Sequence, residues 1–190
     1  MELLKEYIRK QGIVEKDNIL KVDSFLNHQI DINLLNKIGE EFKKRFTSET
    51  ITKILTIESS GIAIASITAQ YFNVPVVFAK KSTSKTLNTD VYVTKVHSYT
   101  HNKDYEVLVS KKYISSNDNV LIIDDFLANG KALLGLIDIC RQANANIAGS
   151  GIVIEKSFQK GANLIRETGI KLESLAKLSK ITTNGIEFVN

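Results

Sequence analysis

Residues 120–133 read Val-Leu-Ile-Ile-Asp-Asp-Phe-Leu-Ala-Asn-Gly-Lys-Ala-Leu, and this stretch decides the fold. Four consecutive apolar residues describe a strand buried on both faces, as in a parallel sheet covered by helices. The strand is expected to end in two adjacent carboxylates, Asp124 and Asp125. A turn of small residues then opens a helix, and in such sheets ligands bind beyond the carboxyl ends of the strands. The backbone amides of Ala128, Asn129, Gly130, Lys131 and Ala132 point out of that turn, and the helix N-terminus carries partial positive charge, so a phosphate fits there. The carboxylates cannot want the same phosphate; they suit vicinal hydroxyls, or a magnesium ion bound largely through water. A phosphate at one end and a diol two carbons away describe a ribose 5-phosphate. The competing reading is that Asp124 and Asp125 only cap the helix.

Working outward, the same rhythm recurs. An apolar run at residues 54–57 is followed by a helical pattern over 62–72 and a second strand at 74–79, while the helix from Lys131 to about Asn144 leads to a strand at 147–154. Short apolar strands alternating with helices define an α/β fold with a mostly parallel central sheet flanked by helices. Before the first unit, Leu3, Leu4, Tyr7 and Ile8 mark a short helix that stops near Gly12. Residues 13–30 read as an irregular or hairpin appendage, and Asp31 caps a helix carrying Leu34, Leu35, Ile38 and Phe42 to about Phe46. Between the two units, residues 80–113 are rich in Thr, Ser, Lys and Asn and read as a long loop feeding a β-hairpin, the kind of connection that serves as a mobile lid. From Lys171 the alternation weakens and short strands are expected.

The 190 residues are 43% hydrophobic and 24% charged, which excludes disordered, collagenous and low-complexity classes and fits a single domain. No apolar run approaches the ~18 residues of a membrane span, and the first residues lack the order of a signal peptide, so a cytoplasmic protein without membrane contact is expected. Cys140, the one cysteine, can form neither an internal disulfide nor a cysteine metal cluster. The net charge of +4 suits an anionic ligand without marking a nucleic-acid binder. Between Lys80 and Lys112, seven lysines (80, 81, 85, 95, 103, 111 and 112) face three acidic residues, so the excess of this region equals that of the chain.

The Asp-Asp-Phe-Leu-Ala-Asn-Gly segment resembles the binding motif for 5-phosphoribosyl-1-diphosphate (PRPP) of the type I phosphoribosyltransferases, and its particular form is similar to that of the xanthine-using members. The resemblance runs over essentially the whole chain. It implies the type I phosphoribosyltransferase fold, with a small N-terminal base-binding hood within residues 1–50, a PRPP-binding core over 51–170 and a flexible hairpin at 80–113. It also implies that Asp124 and Asp125 bind the ribose hydroxyls and the turn at 128–132 the 5′-phosphate. Glu58, Ser59, Ser60 and Gly61 resemble the family's diphosphate loop, although Ser-Ser-Gly before a helix is also an ordinary cap. Asn129 and Ala132 stand where the common family turn carries Thr, so backbone amides must do more. Ala128 replaces the Asp of hypoxanthine-guanine enzymes, leaving the proton acceptor unassigned.

A basic residue after the strand at 74–79 approaches the diphosphate in the family, and Lys81 is the candidate. His97, Tyr99 and His101 are left as loop residues facing water. Lys156, following the strand at 147–154, can donate to a 6-oxo group but cannot accept from a 6-amino group, so it selects an oxopurine; by spacing alone it could be a surface lysine. Leu20 and Asn27 fall where the family contacts xanthine, and Asn27 can donate to a 2-oxo group. Phe126 or Phe158 could stack on the base. The implied activity is transfer of phosphoribosyl from PRPP to xanthine, with Mg2+ carried by PRPP rather than held by the protein, in a homodimer serving purine salvage. The alternatives are a guanine/hypoxanthine enzyme on the same scaffold and, from another class, a PRPP-sensing regulator that binds nucleic acid. For the regulator, no helix-turn-helix pattern is evident.

Overall fold

The structure is a computed structural model that describes residues 1–189 except 17–18, 83–89, 99–102 and 183–184, and excepting the side chains of residues 97, 98, 103 and 104. Lys85, Tyr99 and His101, and the side chains of His97 and Lys103, lie outside the described residues. The elements are α1 (Glu2–Gln11), β1 (Ile13–Glu15), β2 (Ile19–Lys21), a π-helical turn (Asp23–Asn27), α2 (Ile32–Arg45), β3 (Lys53–Ile57), α3 (Ser60–Phe72), β4 (Val76–Ser82), β5 (Val91–Ser98), β6 (Lys103–Ser110), β7 (Asn119–Leu127), α4 (Lys131–Gln142), β8 (Asn146–Lys156), α5 (Gly161–Glu167), β9 (Leu172–Thr182) and β10 (Gly185–Phe188).

Eight strands form one sheet in the order β10-β9-β8-β7-β3-β4-β6-β5. The run from β9 to β4 is parallel, while β10, β6 and β5 add antiparallel edges. From the neighbours β3 and β7 the two βαβ units wind in opposite directions, β3-α3-β4 one way and β7-α4-β8 the other. That reversal opens a crevice at the carboxyl ends of β3 and β7. Strand alternation divides the apolar side chains between two cores. Ile54, Leu121, Ile123 and Val153 pack with α1, α2 and α3, and Leu55, Val120, Ile122 and Ile152 pack with α4 and α5.

Local chemistry sets the element ends. Asp31 accepts from Leu34 N at 3.0 Å and caps α2, as expected, and Tyr7 donates to its other carboxylate oxygen at 3.0 Å, tying α1 to the cap. Asn73 ends α3 in the left-handed conformation, with φ of 55°. Phe42 packs closely against β8 because the strand offers a glycine there: a Cβ on Gly151 would meet the ring at 2.7 Å.

Two expectations are corrected, and one helix had not been anticipated. Lys80 and Lys81 belong to β4, which runs to Ser82 because it gains β6 as a partner, with Lys81 opposite Val107. The carboxyl end of the chain holds an eleven-residue strand, β9, rather than only short ones, since it pairs with β8 along its length. Helix α5 had no sequence signal beyond two apolar residues, Leu164 and Ile165. Residues 80–113 contribute two paired strands that close the sheet: β5 pairs with β6 over eight residues, and both Val93 backbone groups bond to the Gln142 side chain of α4.

Phe42 is fully buried between α2 and the sheet. Phe42→Ala is expected to cost about 3–5 kcal/mol of stability, read by urea unfolding; a loss below about 1 kcal/mol would show that the ring does not hold α2 in place.

Candidate active site

The crevice is built from the ends of four strands. Strand β7 carries Asp124 and Asp125 within its last residues rather than after them, since pairing with β8 continues to Leu127. The Asp124 side chain is buried, at 6% exposure, and its Oδ1 accepts the Asp125 amide at 3.0 Å. Asp125 turns its Oδ1 to the Phe126 amide at 2.8 Å. Neither carboxylate caps α4: the N-cap is Gly130, in the left-handed conformation, and among the described residues no side-chain cap bond is made there. The reading of the acidic pair as a helix cap is thereby removed. Burial first, and the Asp125 charge second, push the Asp124 carboxyl well above the usual range, while the Lys81 charge opposes them.

The turn at 128–130 rests on the start of α5. Gly161 N donates to Ala128 O at 3.0 Å, and a Cβ on Gly161 would lie 2.3 Å from that oxygen and 2.7 Å from Gly130 N. This glycine lets the two backbones meet, and the sequence reading missed it because its partner lies thirty residues away. Residues 58–61 join β3 to α3 beside the acidic pair. A Cβ on Gly61 would stand 2.1 Å from Thr56 Oγ1 and 3.2 Å from Asp124 Oδ1, so only glycine lets α3 begin this close to β7. Ser59 is the N-cap of α3 by position but makes no side-chain cap bond, and Ser60 is the first helical residue. Glu58 Oε1 accepts the Lys81 amide at 2.6 Å, so this carboxylate fixes the strand that carries Lys81.

Lys80 and Lys81 diverge by strand alternation. Lys80 lines a groove with Val76, Phe78, Val91 and Tyr113, whereas the Lys81 ammonium stands 5.6 Å from the Tyr105 ring and acts on Asp124. Tyr105, on β6, has its hydroxyl pushed up by burial first and by the Asp124 charge second. No sequence pattern singled it out.

The N-terminal segment reaches the same place. Asn27, at the end of the π-helical turn, donates from Nδ2 to Asp125 Oδ2 at 3.4 Å, and its Oδ1 is buried with no partner among the described residues. The side chain therefore offers an acceptor as well as the donor expected from the sequence. Leu20, on β2, is buried in the core formed with Leu4, Ile8 and Phe25. Lys156 ends β8, with its ammonium 5.6 Å from the Phe126 ring, and burial holds its pKa below the usual lysine range. Phe158, two residues on, is exposed. Cys140 is buried, its thiol pushed up to about 12 chiefly by burial. Among the described residues no three His, Cys, Asp or Glu side chains gather as a metal site. Two carboxylates at an open edge fit a cation that arrives on a charged substrate, with water and substrate filling most of its shell.

A sheet whose two halves diverge at a crevice, with an acidic pair, a turn opening α4 and a second turn ending in Gly61 at its mouth, has the features expected of a phosphoribosyl-transferring class of enzyme. The phosphoribosyl transferase domain family matches residues 22–172, and the chain belongs to the phosphoribosyltransferase family. It is 64% identical to the xanthine phosphoribosyltransferase of Lachnoclostridium phytofermentans, over 93% of this chain and 91% of that protein. With the xanthine phosphoribosyltransferase of Alkaliphilus metalliredigens it shares 59% identity over 99% and 93% of the two chains. The adenine phosphoribosyltransferase structure from Rhodothermus marinus superposes with a TM-score of 0.75 at 20% identity, over 93% of this chain and 97% of that one, a likeness of fold.

A carboxyl whose pKa is raised by folding stabilises the protein fully below the unfolded pKa, and that contribution is lost as pH rises through the folded value. Asp124→Asn is therefore expected to raise Tm, and by more at about pH 8 than at about pH 5. Thermal unfolding at both pH values checks this; a larger gain at the lower pH would contradict the burial argument.

Proposed function

We infer that the protein transfers the 5-phosphoribosyl group of PRPP to N9 of xanthine, releasing diphosphate and xanthosine 5′-monophosphate (XMP), a step of purine salvage. The observation that carries this reading is one sheet edge, on which the Asp124–Asp125 pair lies beside the uncapped start of α4 while Asn27 from the N-terminal segment bonds to Asp125. On this reading the amides of Ala128, Asn129, Gly130, Lys131 and Ala132 bind the 5′-phosphate, and Asp124 and Asp125 take the ribose hydroxyls. Glu58, Ser59, Ser60 and Gly61 face the diphosphate, with Lys81 as the nearest cation. When Mg2+ is bound with PRPP, it neutralises part of the charge that builds on the departing diphosphate.

As the C1′–diphosphate bond lengthens, positive charge develops at C1′, and the fixed carboxylates stabilise it without having to reorganise. Lys156 donates to the 6-oxo group of the base. Asn27 lies at the hood and supplies a donor for a 2-oxo group, while Leu20 lies in the core of the same N-terminal segment. A base that left these buried groups unpaired costs ~1–3 kcal/mol, which favours xanthine over guanine and excludes adenine. The chain acts as one domain, residues 1–50 as hood and 51–170 as PRPP-binding core, and the basic region at 80–113 covers the diphosphate. We further read the enzyme as a cytoplasmic homodimer, for which sedimentation at micromolar concentration is the check.

Initial rates with PRPP and each of xanthine, guanine, hypoxanthine and adenine test the assignment. Xanthine is expected to exceed guanine in kcat/KM by about 10- to 100-fold, and equal rates would remove it. Asp125→Asn is expected to lower kcat/KM by about 10²–10³ with the fold intact; wild-type turnover in that variant would remove the carboxylate from the mechanism.

A further inference from the structure

Glu155 precedes Lys156 on β8, is 1% exposed, and takes no part in the chemistry above. Strand alternation turns it to the opposite face from Lys156. There its Oε1 accepts the Ser157 hydroxyl at 2.6 Å, its Oε2 accepts the Ser174 hydroxyl at 2.6 Å, and the Arg166 guanidinium stands 3.3 Å away. One carboxylate thus joins β8, the turn after it, α5 and β9. The Ser157 amide donates to Leu178 O at 2.9 Å, so the residues on both sides of Lys156 are tied down. Burial works to raise the Glu155 pKa, but the two hydroxyl bonds and the neighbouring Arg166 and Lys177 charges outweigh it and hold the group ionised. An ionised group in the interior that keeps all its partners is an anchor whose loss leaves uncompensated polar atoms.

We propose that Glu155 is the positioning residue for Lys156: by engaging Ser157, Ser174 and Arg166 on the far face of β8, it fixes the backbone from which the ammonium reaches the base. The same arrangement keeps the adjacent carboxylate off that ammonium, whose pKa shift has burial as its cause, so its donors stay available to a 6-oxo group. Base selection then depends on a cluster that never touches the base. This rests on the reading of Lys156 as a base contact.

The test compares Glu155→Gln, Ser157→Ala, Ser157→Thr and Lys156→Met by KM for xanthine, KM for PRPP, kcat and Tm. Glu155→Gln and Ser157→Ala are expected to raise the xanthine KM by about 5- to 20-fold while the PRPP KM stays within about two-fold, a loss of alignment on the scale of one hydrogen bond. Ser157→Thr, which keeps the hydroxyl, is expected to restore the wild-type KM. If Glu155→Gln does not fold, Ser157→Ala, which removes a single oxygen, decides the matter. A lowered Tm with an unchanged xanthine KM in Ser157→Ala would overturn the proposal and leave Glu155 a structural anchor only. An unchanged xanthine KM in Lys156→Met would instead overturn the base-contact reading, and the proposal with it.

Discussion

A buried carboxylate beside a second carboxylate is the constraint around which this protein is built. Asp124 is 6% exposed on the strand next to the reversal point of the sheet, and burial and the Asp125 charge both oppose its ionisation. A helix cap needs no such arrangement, and α4 makes no use of it. On the proposed reading, hydrogen bonds from the ribose hydroxyls offset that cost. Gly61 removes a side chain so that α3 can start against Asp124, and the Asp125 amide and Lys81 charge partly compensate the buried carboxylate.

The remaining elements reach the pair from separate directions, each held by a contact of its own. Glu58 bonds the Lys81 amide, Gly161 supports the turn at 128–130, and Asn27 joins the N-terminal segment to Asp125. The hairpin of β5 and β6 is fastened to α4 through Gln142, so the helix that begins at the phosphate turn also holds the edge of the sheet that carries Tyr105. Parts of the chain that would recognise a base and a sugar phosphate thus share backbone supports, which links the two halves of one substrate site.

The α/β class, and the order of strand, acidic pair, turn and helix, were legible in residues 120–133 because they rest on local rules: a continuous apolar run, then carboxylates, then small residues. The cap of α2 likewise follows from Asp31. Contacts between distant segments were not legible. The sequence does not say that Gly161 packs on Ala128, that β4 is extended by β6, or that the Lys81 ammonium lies over the Tyr105 ring, since each depends on how distant segments come together. Glu155 reads as one more charge at a strand end until Ser157, Ser174 and Arg166, brought from three elements, surround it. Asn27 was expected at the base through family resemblance; its bond to Asp125 and its unpartnered Oδ1 came only with the coordinates.

The central claim is that one sheet edge receives a ribose 5-phosphate, the turn taking the phosphate and the acidic pair the diol. Amide NMR during titration with ribose 5-phosphate tests it directly. The account requires the largest shifts at the backbone amides of residues 128–132 and at the Asn27 side-chain amide, which senses Asp125. Saturable binding that leaves those signals unmoved and shifts residues at the opposite edge of the sheet would contradict it.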